Sequence, residues 1–210
     1  EGVKPPEPSQ AREGGELVRK NVELTLEVAP GAEISIKAAV GDIRITPTDS
    51  SQLIVRAALV VQMQTEKNAQ AAIEALNVRC ELVEGRAMLT AAVRDNMAAL
   101  GCTRYRIDLD VQCPRNSPVK LTADSGFTTV SALGGPVTIE QEKGSVTLEQ
   151  CKRDVGELRV TIQEGDVTAT DCAGPLNVTT RQGSIKTVGV TGKQVLAADG
   201  GRTTVELPKG

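Results

Sequence analysis

The stretch GFTTVSALGGPVTIEQEKGSVTLEQCKRDVGELRVTIQEGDVTATDCAGPLNVTTRQGSIKTVGVTGKQVLAADGGRTTVELPKG, residues 126–210, is a set of near-copies of one short unit. Gly126, Gly144, Gly165, Gly183 and Gly201 open the copies, at steps of 18, 21, 18 and 18 residues, the fifth copy being incomplete. A period near 20 residues is the signature of a repeat whose units cannot bury their apolar faces alone and must stack. Two positions after each glycine stand Thr128, Val146, Val167, Ile185 and Thr203, and four positions after stand Val130, Leu148, Ala169, Thr187 and Val205. Seven positions after stand Leu133, Cys151, Cys172, Val190 and Pro208. Polar residues alternate with the first two sets, Thr129, Thr147, Thr168, Lys186 and Thr204 among them. An alternation of period two describes a strand with one face inward and the other in water.

A second glycine falls inside each unit, at Gly135, Gly156, Gly174 and Gly192. Another alternating run follows it, with Val137, Ile139, Leu158, Val160, Ile162, Leu176 and Val178 in one phase. Each unit is therefore expected to hold two short strands and two glycine-bearing corners, where φ > 0 or a close backbone approach is needed. The three extra residues of the second unit fall at Lys152-Arg153-Asp154 and are expected to bulge into solvent at a corner. A narrow stacked core also accounts for one Phe, one Tyr and no Trp in 210 residues. The fold class is thus mainly β: a β-solenoid of stacked coils of about 18 residues, with one short helix inserted near 66–76.

Three segments are expected along the chain. Residues 1–18, rich in Pro, Gly and charge, form a flexible arm. Residues 19–117 form a β-rich part continuous with the solenoid, and residues 118–210 form the regular coils. Gly41-Asp42-Ile43-Arg44-Ile45-Thr46 repeats the glycine-led pattern, so one coil is expected near the N-terminus, separated from the rest by an insertion. In that insertion the helix is capped by Thr65 and presents Ala69, Ile73 and Leu76 on one face. Strands follow at about 77–83, 86–93 and 104–112, with 95–101 as a loop.

Composition excludes several chemistries. With no histidine, Ser-His-Asp and Cys-His nucleophile schemes are unavailable. A net charge of −3, from 24 basic and 27 acidic residues interspersed, gives no field for nucleic acid. No apolar run is long enough to span a membrane as a helix. Asp108 and Asp110 share an outward strand face, where a solvated pair is the stronger reading than a glycosidase dyad. Lys186 and Arg202, as bases of a polysaccharide-active β-helix enzyme, are similarly outweighed. Gly41-Asp42 and Gly165-Asp166 lack the spacing of calcium-binding nonapeptides. The threonine column is broken by Lys186, against ice binding, and Tyr105 and Phe127 alone give thin support for a lectin site. No catalytic, metal or cofactor residue is assigned, and no cofactor is expected.

The five cysteines are Cys80, Cys102, Cys113, Cys151 and Cys172. Cys151 and Cys172 hold equivalent positions in adjacent coils, about 4.8 Å apart, so either a disulfide or a pair of stacked thiols fits them. Cys80, in phase with Val78 and Leu82, and Cys113, in phase with Leu109 and Val111, are expected in the core. Cys102, after Gly101, is expected in a loop as an exposed or paired thiol.

The run YRIDLDVQCPRNSPVKL (105–121), leading into G-x-V-T repeats, and AVGDIRITPTDSSQLIVRAAL (39–59) resemble the bacterial putative-adhesin family, over about residues 20–210. That resemblance implies an exported, envelope-tethered domain of glycine-led β-coils with no catalytic residues to carry over. The five cysteines depart from the family pattern. Functionally, a non-enzymatic cell-envelope scaffold or adhesin-like interaction module is expected, extracytoplasmic and anchored upstream of residue 1. The alternatives are a ligand-sensing ectodomain of an envelope-stress system and, far behind, a polysaccharide-active enzyme. The partner is an unknown envelope macromolecule, and a homodimer through the C-terminal end is a further expectation, because the last coil carries no obvious polar cap.

Overall fold

The computed structural model describes residues 16–152 and 156–208. The alternating runs become strands β1 (Glu16–Glu27), β2 (Ile34–Val40), β3 (Ile43–Thr48), β4 (Gln52–Met63), β5 (Leu76–Val83), β6 (Arg86–Val93) and β7 (Cys102–Pro114). They continue as β8 (Val119–Ser131), β9 (Val137–Glu149), β10 (Leu158–Glu164), β11 (Val167–Thr170), β12 (Leu176–Gln182), β13 (Ile185–Val188), β14 (Gln194–Ala198) and β15 (Thr203–Glu206). The single α-helix, α1 (Ala69–Ala75), follows a 3-10 turn at Glu66–Asn68. The protein is mainly β, and its strands join into one 15-stranded mixed sheet. The sheet is mixed because antiparallel partners at the N-terminal end, β1 with β4, β4 with β7 and β5 with β6, extend otherwise parallel ladders.

Two parallel ladders run through the sheet. In the first, Ile34 of β2, Val119 of β8, Val137 of β9, Leu158 of β10 and Leu176 of β12 are register partners in turn. In the second, Ile43 of β3, Thr128 of β8, Val146 of β9, Val167 of β11 and Ile185 of β13 are partners. All ten side chains are buried. The β2–Gly41–β3 segment therefore pairs with β8 on both ladders. The insertion supplies another rung on each: β6 pairs parallel with β2, and β7 with β3. Burying one Val, Leu or Ile contributes about 1.5–3 kcal/mol, and a column repeats that term at every rung.

Residues 1–15, which include most of the expected arm, lie outside the described residues, as do Arg153 and Asp154 of the expected bulge. Around the helix the local reading needs correction. Asn68, not Thr65, occupies the N-cap, and no side chain caps it. A 3-10 turn intervenes and rotates the helix, so Ala72, Ile73 and Ala75 are the buried face, while Leu76 is buried as the first residue of β5. Among the described residues, strand β5 forms ladder bonds with β6 alone, which leaves its other edge without a strand partner there. As a result Leu82 is 51% exposed and Cys80 only half-buried, rather than both lying in the core.

The third corner of each unit was not anticipated. Ala132, Gln150 and Asp171 have φ of 56, 53 and 52°, and Gly189 has 63°. Each N–H donates to the next rung: Ala132 to the Glu149 carbonyl at 2.8 Å, Gln150 to Thr170 at 2.9 Å, and Asp171 to Val188 at 2.9 Å. The ladder bonds hold these residues in a left-handed conformation that costs a non-glycine residue about 1 kcal/mol.

Candidate functional site

The glycines line up as a column of close backbone approaches. A Cβ on Gly126 would collide with the Gly41 carbonyl, one on Gly144 with that of Gly126, one on Gly165 with that of Gly144, and one on Gly183 with that of Gly165. All four have positive φ, from 113 to 146°. Gly201 does not share that φ, but its Cβ would still strike the Gly183 carbonyl. Strands β8 and β9 run through Gly126 and Gly144, which bend them; Gly165 and Gly183 separate β10 from β11 and β12 from β13.

The residues after Gly41, Gly165 and Gly183 accept backbone hydrogen bonds from the neighbouring strand segment. The Asp42 N–H donates to Asp108 Oδ1 at 3.1 Å, and the Phe127 N–H donates to Asp42 Oδ1 at 3.1 Å. Farther along, the Ser184 N–H donates to Asp166 Oδ1 at 2.7 Å, and the Arg202 N–H to Ser184 Oγ at 3.3 Å. The Asp42 and Asp166 carboxylates thus tie neighbouring strand segments together. Lys186 pairs with Glu206 at 2.9 Å.

Cys151 and Cys172 are stacked and buried. The Ala173 N–H donates to the Cys151 carbonyl at 2.9 Å, which fixes the two rungs side by side. Cys151 Sγ lies 3.5 Å from the Glu149 carbonyl, and Cys172 Sγ 3.4 Å from that of Thr170, both as thiol donors. The hydrogen-bonded Cys151 side chain, followed by burial, holds the Cys172 thiol far above its ordinary value. Cys102 is a correction: it is buried, at the start of β7, and its Sγ donates to the Arg104 carbonyl at 3.0 Å. The turn before it closes through Met97, whose carbonyl accepts the Cys102 N–H at 3.0 Å, and this draws residue 102 into the strand.

Burial pushes the Cys113 thiol up to about 12, and burial with the nearby Glu81 carboxylate pushes Cys80 up to about 11. An unfolded thiol titrates near 8.5, so above about pH 9 the unfolded chain releases protons that the folded chain keeps. Stability is expected to be unaffected by these thiols below pH 9 and to fall as pH rises through 9 to 12. For Cys113 the slope is at most about 1.4 kcal/mol per pH unit. Urea midpoints at pH 8.5 and 10.5 measure it; Cys113→Val should flatten the decline, and an unchanged decline in that variant contradicts the assignment.

An open groove of about 910 Å³ lies on the outer face of β1, β4, β7, β3 and β8. Outward phase positions bring one row of side chains across it: Glu23 opposite Arg56, Arg56 opposite Asp110, Asp110 opposite Arg44, and Arg44 opposite Thr129. The row continues along the coils through Thr147, Thr168, Lys186 and Thr204. Arg56 pairs with Glu23 at 3.3 Å and Arg106 with Asp108 at 3.1 Å, whereas Arg44 and Asp110 form no ion pair with each other. Phe127 stands at the groove, 64% exposed. The sequence indicates which residues of each strand face out. It does not indicate that segments near 22, 43, 57, 109 and 128 lie side by side, because that depends on long-range register. Among the described residues no cluster of three or more acidic, cysteine or histidine side chains forms a metal site.

No family model matches the chain, and no curated protein matches it. Among solved structures it is similar to a putative cell adhesion protein from Clostridium sporogenes, at 10% identity and a TM-score of 0.49, over 90% of this chain and 100% of that one. It is also similar to a putative adhesin from Bacteroides fragilis, at 14% identity and a TM-score of 0.36, over 90% and 97% of the two chains. A third is a putative lipid binding protein from Parabacteroides distasonis, at 8% identity and a TM-score of 0.26, over 88% and 96%. The solved structures similar to this chain thus include bacterial proteins bearing the adhesin name that residues 39–59 and 105–121 suggest.

Proposed function

We propose that this chain is a non-enzymatic, adhesin-like interaction module of the bacterial cell envelope, a β-solenoid scaffold held outside the cytoplasm. In this reading residues 118–210 are the regular coils, 19–117 an elaborated first part and 1–18 an arm. The observation that carries it is the outward row from Glu23 to Thr204, nine strands wide. At about 4.8 Å per strand it extends roughly 38 Å, a flat and rigid polar face suited to a macromolecular surface. Purified protein is expected to sediment saturably with isolated bacterial envelopes without releasing soluble sugar or peptide. Absence of retention, or turnover of envelope material, contradicts the proposal.

The C-terminal rungs support self-association as part of the same reading. Val195, Val205 and Leu207 are 47, 47 and 76% exposed, and among the described residues β15 pairs with β13 alone. The inward-phase Thr203 and Val205 are exposed where their counterparts one coil earlier, Ile185 and Thr187, are buried. Light scattering is expected to detect a dimer at high concentration that Val205→Lys abolishes; a monomer throughout contradicts it. Cys151 and Cys172 are taken as a stacked thiol pair. Intact mass under non-reducing conditions separates this from a disulfide by two hydrogens.

A further inference from the structure

We infer that the groove beside Phe127 binds an uncharged oligosaccharide, with one sugar ring lying on the Phe127 face and its neighbouring hydroxyls reaching Arg44 and Asp110. This rests on the interaction-module reading and narrows it to a ligand class. The chain's single phenylalanine is not spent on its aliphatic core: it stands 64% exposed. It also interrupts a column whose equivalent positions on the other coils are Asp42, Ser145, Asp166, Ser184 and Arg202. A large apolar face in a polar column is a stacking platform, and the C–H face of a sugar ring is a polar-rimmed partner for it.

The backbone that carries the platform is held by hydrogen bonds. The Phe127 N–H is bound by Asp42, the Asp42 N–H by Asp108, and Asp108 Oδ2 by Arg106 at 3.1 Å. The backbone under Phe127 is thus ordered without ligand, and only its side-chain torsions remain to be fixed on binding. Beside it, Arg44 and Asp110 face each other in register without closing an ion pair, leaving a forked donor and a two-oxygen acceptor open. That combination suits adjacent hydroxyls, each of which both donates and accepts. The groove's charged groups, Glu23, Asp42, Asp108 and Asp110 against Arg44 and Arg56, oppose a polyanion without forming an unopposed acidic surface. A volume of about 910 Å³ in an open groove admits several sugar rings of a polymer rather than one enclosed monosaccharide.

The test titrates 15N-labelled protein with cellotetraose, chitotetraose and mannotetraose, using tetragalacturonate as the charged comparison. At least one neutral tetrasaccharide is expected to shift the amides of 42–44, 108–110 and 127–129 saturably. Phe127→Ala removes an exposed side chain and should leave the remaining spectrum in place while weakening that binding about tenfold. Arg44→Ala should weaken it comparably. The inference is overturned if no neutral sugar saturates below about 10 mM, if Phe127→Ala binds like the wild type, or if tetragalacturonate binds more tightly. Envelope sedimentation separates the two levels: wild type retained without any neutral-sugar binding overturns the sugar site and leaves the module reading standing. Wild type not retained overturns the module itself.

Discussion

Gly165→Ala is expected to remove about 3–5 kcal/mol of folding stability, a large share of what a domain of this size holds. Two terms combine. Gly165 has φ of 146°, a conformation costly for any residue with a Cβ. The added methyl would also drive into the Gly144 carbonyl, and backbone in a ladder cannot step aside as a flexible side chain would. Relief requires lengthening bonds such as Gly165 N–H to the Gln182 carbonyl, now 2.7 Å, so the disturbance passes to the next coil. Gly31 is the matched control: its φ is 75°, but a Cβ there meets nothing within 4 Å. Gly31→Ala should cost only about 1 kcal/mol. Urea unfolding followed by circular dichroism compares the two; equal losses would show that the close approach is immaterial.

Gln141→Leu is expected to cost about 2–4 kcal/mol, although it replaces a buried polar residue with an apolar one of similar size. Gln141 stands in the inward column Ala123, Gln141, Ile162, Thr180, so hydrophobic bookkeeping alone predicts a gain. Its Nε2, however, donates to the Gly126 carbonyl at 2.8 Å and to the Lys143 carbonyl at 2.9 Å, and its Oε1 accepts from the buried Thr128 hydroxyl at 2.7 Å. Leucine would leave these groups unsatisfied in a dry interior, and that penalty exceeds the transfer gain. Thr128→Val in the Gln141→Leu background should recover part of the loss, because one orphaned hydroxyl goes with it. A double-mutant cycle that is additive within about 0.5 kcal/mol contradicts the network.

The unequal legibility of the chain has physical causes. The glycine column is visible in sequence because only glycine tolerates both the positive φ and the carbonyl contact, so Gly126, Gly144, Gly165 and Gly183 recur where neighbouring backbones approach closely. The companion corner at Ala132, Gln150 and Asp171 leaves no such mark: its left-handed conformation is supported by ladder bonds that ordinary residues also make. Cys102 misleads because Gly101 signals a turn, while the burial of residue 102 depends on Met97 folding back beneath it. The outer groove is half legible. Alternation places Arg44, Arg56 and Asp110 on outward faces, but their meeting depends on strands β3, β4 and β7, separated in sequence and joined by register. Phe127 was visible only as an exception, the one aromatic in a column of Asp, Ser and Arg.

The outer row and the groove both depend on the register of neighbouring parallel strands, which can be measured as a distance. Spin labels at Thr129 and Thr204, in a Cys80→Ala background because the other four cysteines are buried, mark rungs four steps apart through Thr147, Thr168 and Lys186. At about 4.8 Å per step, double electron–electron resonance should give a single narrow distribution corresponding to a backbone separation near 19 Å. A peak beyond about 30 Å, or a broad distribution reaching that far, would mean that the coils do not stack in this register.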